Sequence, residues 1–356
     1  MKKGKSTTGN SVGYFPYPGE WLDTESEEIA KSIAKWADSE VIGKRLEFRE
    51  DFTHQMRSLK ILAADIGLHR LIWPEEMGGV GFSVPEASST LARAYEEIGR
   101  ADPGIGYISA MNMALGATLI ADKKVDKDTK KEIGSIFCSM DDVKLFSLIL
   151  PGLGNVDTDP RKTVSGREVQ ADMKKDGDVW VLNAKHARPL NSGHNAYMYA
   201  VIAEAPKGFA LALVPGKEPG VKTGELLKTT GLLASRSADV DFKEVKVSAS
   251  HVISIDEIAY KRLITWIDLF SGAIAVGSTM DVYRLVKDWA DNRVIKTGGL
   301  LKENPMDAAV LAQVAMDIID SRLLVHCLAR AIAKPEAFGI KAEALFILAE
   351  TVSIKV

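Results

Sequence analysis

The chain has 356 residues, enough for two or three domains and a sizeable buried core, and its 46% hydrophobic and 26% charged residues match an ordinary soluble globular protein. Net charge is −3 with lysines and arginines dispersed, so no basic stripe is offered to a polyanion and no nucleic-acid partner is expected. Cys138 and Cys327 are the only cysteines, each in an apolar setting, which excludes a disulfide framework and a zinc site and leads us to expect a reducing, cytoplasmic location.

Residues 1–22 begin "MKKGKSTTGNSVGYFPYPGEW", positively charged with no apolar run behind, and read as a polar tail without a secretory signal. No stretch is expected to span a bilayer. From 23 to 142 the pattern is helical. In "PEASSTLARAYEEIG", Ala87, Leu91, Tyr95 and Ile98 recur on one helical face, and "WPEEMGGVGFS" is a glycine-rich turn at Gly78, Gly79 and Gly81.

From 143 to 255 the period becomes that of strands. "VQADMKKDGDVWVLNA" predicts a hairpin about Asp176-Gly177, and "YMYAVIAEAPKGFALALVPG" a second about residues 206–208. "ADVDFKEVKV" alternates at Val240 and Phe242, with Val245 and Val247 following. Several short strands at such spacing predict a small barrel or sandwich. From 256 to 356 the pattern is helical again. Leu311, Val314, Ile318, Val325, Leu328 and Ile332 form one apolar stripe, expected in a bundle or across a subunit interface. The final "KAEALFILAETVSIKV" reads as an amphipathic helix ending without a cap, so this last domain is expected to be truncated.

One segment stands out. "KHARPLNSGHNA", residues 185–196, gathers a lysine, two histidines and an arginine around a proline that cannot join a sheet ladder. His186 and His194 have no third ligand at metal spacing, so no metal site is expected.

The helical–β–helical order, with "ADIGLHRLIWPEEMGGVGFS" and "EEIGRADPGIGY" in the first zone, closely resembles the acyl-CoA dehydrogenases. "FSLILPGLGN" resembles the family's "T-E-P-G-x-G-S" segment, and "GLLASRSADVDFKEVKV" its later strand. "DNRVIKTGGLL" is similar to its "R..FG..L". The resemblance implies an α+β chain of the acyl-CoA dehydrogenase fold: an N-terminal helical domain, a central β-barrel or sandwich domain and a C-terminal helical bundle. It also implies FAD, held between the β domain and the C-terminal helices with a neighbouring subunit completing the site. The implied reaction is dehydrogenation of an acyl-CoA substrate, with electrons passed to an electron-transfer flavoprotein.

Carried onto this sequence, the resemblance places Phe146, Leu148, Ile149, Gly154 and Asn155 at the flavin loop. Ile149 stands where the family has a hydroxyl, Leu150 where it has a glutamate, and Asn155 where it has a serine. A plain turn between strands is the competing reading. Arg188, Pro189 and Leu190 replace the family's tryptophan–isoleucine–threonine, while Lys185 and Asn191 match; the segment reads as a remodelled flavin strand. Asp268 keeps an aspartate at the CoA-contacting helix, with Ser271 in place of an arginine and Phe270 at the alternative base position. Arg293 matches an arginine implied to reach the pyrophosphate of a neighbouring subunit, against the simpler reading of a solvated charge. No catalytic base is identified, since the commonest branch implies a glutamate beyond Val356. These losses make a related acyl-CoA dehydrogenase subunit, in a hetero-oligomer, the expected partner, with a purely structural role for this chain as the alternative.

Overall fold

In the computed structural model, residue 15 and residues 19–49, 51–153, 159–296 and 298–356 are described. Four of the five described α-helices of the first zone, all but the third, start where an aspartate side chain holds a free amide group. Asp23 accepts from the Ser26 amide at 2.7 Å to open α1 (Thr24–Trp36), and Asp51 accepts from His54 at 3.0 Å to open α2 (Phe52–Lys60). Next come α3 (Ala87–Ala101), α4 (Pro103–Ala121) and α5 (Lys127–Phe137). Asp102 divides α3 from α4: its extended backbone ends one helix, its carboxylate accepts from Ile105, and Pro103 takes the first position of the next. Ala87, Leu91, Tyr95 and Ile98 are all fully buried, as their spacing predicts. Gly78 and Gly81 of the turn adopt positive φ of 85°.

The strands follow in order: β1 (Phe146–Ile149), β2 (Gly152–Leu153), β3 (Thr163–Val164), β4 (Arg167–Glu168), β5 (Ala171–Asp176), β6 (Val179–Ala187), β7 (Met198–Ala205), β8 (Gly208–Pro215), β9 (Val221–Thr223), β10 (Val240–Ser248) and β11 (Val252–Ile255). The main sheet runs β11-β8-β7-β5-β6-β10-β9, with β1 parallel to β7, and β2-β4-β3 form a separate small sheet. Both predicted hairpins form. β5 meets β6 across Gly177, and β7 meets β8 with Ala205 opposite Gly208. β7 is buried on both faces, which sorts its residues by parity. Met198, Ala200 and Ile202 join the helical core, whereas Tyr199, Val201 and Ala203 build a second core within the β domain.

The chain closes with α6 (Glu257–Asn292), α7 (Pro305–Ala333) and α8 (Ala342–Lys355). α6 lies almost backbone-to-backbone on α3, because glycine permits it: a Cβ on Gly277 would stand 1.8 Å from the Glu96 carbonyl oxygen, and one on Gly99 2.2 Å from that of Ile274.

Two expectations need correction. α4 and α6 are long and apolar enough to cross a bilayer by length and composition, although no such stretch was expected. In this fold 83% and 72% of their apolar windows are buried, as befits core helices that are hydrophobic all round. Of the two places expected for the stripe on α7, a bundle or a subunit interface, it takes the first, so the subunit surface is corrected. Ile318, Val325, Leu328 and Ile332 are buried inside the chain's own core, with Leu311 and Val314 half-buried. A second, unpartnered apolar face lies elsewhere. Met316, Ile319 and Leu323 on α7 and Val282, Leu285, Val286 and Trp289 on α6 are exposed.

Candidate functional site

The flavin-loop residues divide by strand parity. Phe146 and Leu148 of β1 point into the large core, while Ile149 points into the β-domain core. The edge of β1 away from β7 is closed by the chain's own amides. Asn191 donates to the Phe146 carbonyl at 2.8 Å and accepts from the Leu148 amide at 3.1 Å, and the Leu190 amide donates to the Leu148 carbonyl at 2.8 Å. Asn112, buried in α4, also donates to Phe146 O at 3.1 Å and accepts from Phe146 N at 2.9 Å. These are the partners that buried backbone groups require. Phe146, Leu148, Leu190 and Asn191 are therefore one assembled unit, with Ile149 turned to its other side. Gly154 and Asn155 lie outside the described residues.

Arg188 is not turned inward. Its exposed guanidinium forms a bidentate pair with Asp239, Nε to Oδ1 at 2.7 Å and Nη2 to Oδ2 at 3.0 Å. That bond holds the Asp239 carboxyl below the usual range. His186, also exposed, adopts φ +49° and donates its backbone amide to Asp241 at 2.7 Å. Arg188 and His186 of "KHARPLNSGHNA" are thus engaged at the surface of the β domain.

The helical side carries a different chemistry. Asp268, in the first half of α6, is 8% exposed, and its Oδ2 has no hydrogen-bond partner among the described residues. Burial pushes its carboxyl up to about 7. A side-chain hydrogen bond from Ser353 opposes the rise, Glu350 of α8 adds to it, and Arg167 of β4 opposes it. Tyr107 of α4 and Tyr260 of α6 stand close enough to feel the Asp268 charge, each pushed up first by its own burial. Asp268 therefore sits where the N-terminal helices, the small sheet and the C-terminal helices converge. A buried carboxyl that titrates near neutrality can exchange a proton, or donate one in a hydrogen bond. Ser271, one turn on, is half-buried. Phe270 is fully buried, its ring 4.5 Å from Tyr95 and 5.5 Å from Trp266, and belongs to the core.

Arg293 caps the far end of α6. Its side chain is exposed, lies 6.0 Å from the Trp289 ring, and makes no ion pair among the described residues. It adjoins the unpartnered face of Val282, Leu285, Val286 and Trp289 on the same helix.

Sequence reasoning missed Asn112, Tyr107, Arg167, Glu350 and Ser353. A signal existed for Asn112 alone: an amide inside the long apolar run "YISAMNMALGATLIA" needs a buried partner.

Comparison with known proteins agrees with this architecture. Residues 23–128 match the acyl-CoA dehydrogenase N-terminal domain. The chain is 28% identical over 229 residues to mouse (Mus musculus) mitochondrial short-chain specific acyl-CoA dehydrogenase, covering 63% of this chain and 50% of that protein. Matches to the bovine and rat counterparts cover 61% and 59% of their lengths, so the chain spans between half and three-fifths of these relatives. Among solved structures, a Mycobacterium smegmatis glutaryl-CoA dehydrogenase in complex with FADH2 superposes with a TM-score of 0.77 at 17% identity, covering 94% of this chain and 82% of its own. Butyryl-CoA dehydrogenase from Megasphaera elsdenii gives 0.76 at 18%, covering 93% and 84%.

Proposed function

We propose that the chain is a subunit of an FAD-dependent acyl-CoA dehydrogenase working beside a related subunit, a reading supported by the N-terminal domain match over residues 23–128 and by the shared fold. The reaction is α,β-dehydrogenation of an acyl-CoA thioester, with electrons leaving to an electron-transfer flavoprotein. The observation that carries this reading is the placement of Arg293. An unpaired guanidinium stands at the rim of an exposed apolar helix face, where a second subunit would bury the face and bring a phosphate to the arginine.

FAD fits this chain on one side only. Arg293 suits the pyrophosphate, since a guanidinium fork pairs bidentately with phosphate. On the ring side, Leu190 and Ile149 offer no hydroxyl, and Arg188 is held by Asp239. When bound, FAD supplies the hydride acceptor, and the protein supplies placement. Asp268 and Ser271 are the residues we assign to the acyl-CoA. Of these, Asp268 Oδ2 is a buried atom able to hold or release a proton near neutral pH. The free thiols Cys138 and Cys327 support a reducing, cytoplasmic setting.

A second reading has its own support. The Arg188–Asp239 clamp and the side-chain closure of β1 favour a partner that completes the flavin site of a catalytic paralogue without turning over substrate itself. Purification from the native source, followed by mass analysis and flavin quantitation, tests the hetero-oligomer that both readings share. Turnover by the purified pair carrying Asp268→Asn separates them: it falls under the first reading and stays under the second. One flavin per pair of unlike chains, with activity only in the pair, is expected. A yellow homo-oligomer that oxidises an acyl-CoA would overturn the hetero-oligomer.

A further inference from the structure

On a face of α6 adjoining Asp268, a cavity of about 440 Å³ lies between the first turns of that helix, the end of α7 and α8. That volume is in the range of small-molecule sites. Its walls are chiefly apolar: Ile258 and Trp266 of α6, Ile332 of α7, and Leu345 and Phe346 of α8. Asp268 and Ser271 are not among the lining residues, so this space is separate from the junction described above.

Four polar side chains reach the cavity, and three are already engaged. Lys261 Nζ pairs with Glu257 at 2.8 Å and lies 5.3 Å from the Phe346 ring centroid. The Thr265 hydroxyl donates to the Lys261 carbonyl at 2.8 Å. Arg262 is the exception. It is half-buried and makes no hydrogen bond or ion pair among the described residues.

With Lys261 and Glu257 cancelling, the lining carries one uncompensated positive charge beside an apolar pocket. The complementary ligand has a hydrocarbon body and a singly charged planar anion that matches a guanidinium fork. A phosphate dianion would call for a second free cation, and the lining has none. We propose that this cavity binds a medium-chain fatty carboxylate, the alkyl chain against Trp266, Ile332 and Phe346 and the carboxylate on Arg262. The site needs neither flavin nor a second subunit, so it stands apart from the proposed dehydrogenation.

Isothermal titration of the full chain with decanoate and with 1-decanol tests this. Saturable one-to-one binding of decanoate is expected, with the alcohol about tenfold weaker or more. Arg262→Gln should bring decanoate down to the affinity of the alcohol while leaving the alcohol and the melting temperature unchanged. Leu345→Trp should abolish binding of both by filling the pocket, and Ala121→Trp, from an exposed position on the rim, serves the same purpose should the first variant fail to fold. Absence of saturable decanoate binding to the wild-type chain would overturn the proposal. So would an Arg262→Gln protein that binds decanoate undiminished.

Discussion

Arg322 of α7 grips Glu96 of α3 with two near-parallel bonds, Nε to Oε1 at 2.9 Å and Nη2 to Oε2 at 2.8 Å, and both side chains are almost completely buried. His326, one turn on, adds a contact of 2.8 Å from Nε2 to the same Oε1, and Arg93 approaches Oε2 at 3.3 Å. The N-terminal and C-terminal helical domains are thus pinned by a desolvated charge cluster.

Removing one member strands the others without water. Arg322→Met should therefore destabilise the chain by about 3–5 kcal/mol in chemical denaturation at neutral pH. Burial alone would raise the Glu96 pKa, but His326, Arg322 and Arg93 outweigh it and hold the carboxyl well below its ordinary value of 4.5. The stabilisation from a depressed carboxyl is present above the unfolded value and is lost as pH falls below it. Glu96→Gln should accordingly flatten the loss of stability below about pH 5. A variant as acid-labile as the wild type would show that other carboxylates govern the transition.

Asp268 has the opposite sign. Its carboxyl is raised from 3.8 to about 7, so between those values the folded state binds more protons than the unfolded, and stability falls as pH rises. Asp268→Asn should remove that slope and leave the variant more stable at pH 8 by on the order of 2–4 kcal/mol. Urea melts at pH 5 and pH 8 measure it. Parallel wild-type and variant curves would count against a raised pKa.

Arg293→Ala should lower the flavin content of the assembled complex severalfold without changing the melting temperature, since the side chain is exposed and unpaired in this chain. Arg293→Lys should recover only part of the loss, because an ammonium keeps the charge but lacks the fork. Unchanged flavin occupancy in both variants would reduce Arg293 to a surface charge.

The exposed face can be challenged directly. Met316→Glu with Leu323→Glu should dissociate the assembly in sedimentation while circular dichroism stays unchanged, since both side chains point outward in the isolated chain. The same pair of charges placed at Val325 and Leu328 should unfold it instead, those positions being in the core.

On the ring side, Arg188→Trp with Leu190→Thr restores an aromatic surface and a hydroxyl where the family has them. Flavin retained by the chain purified alone should rise. No gain would place the obstacle in the closure of β1 by Asn112 and Asn191.

Local pattern was enough to read several elements from sequence. Period and turn chemistry gave the buried face of α3 and both hairpins, because Asp176-Gly177 and residues 206–208 satisfy local backbone geometry whatever they pack against. The stripe of α7 was equally visible, yet whether it faced another subunit or its own core was not. Burial is a property of what arrives from elsewhere in the chain, and here α3 arrives through Glu96 and Arg322. The same reason governs the candidate site. The sequence supplies Asp268 as one aspartate among many; only its burial by the converging elements, with Glu350 adding and Ser353 and Arg167 opposing, raises its carboxyl to about 7. It supplies Arg188 and Arg293 as like charges. Tertiary structure alone decides that one is spent on Asp239 and the other stands free, because an ion pair depends on distances the chain sets only when folded.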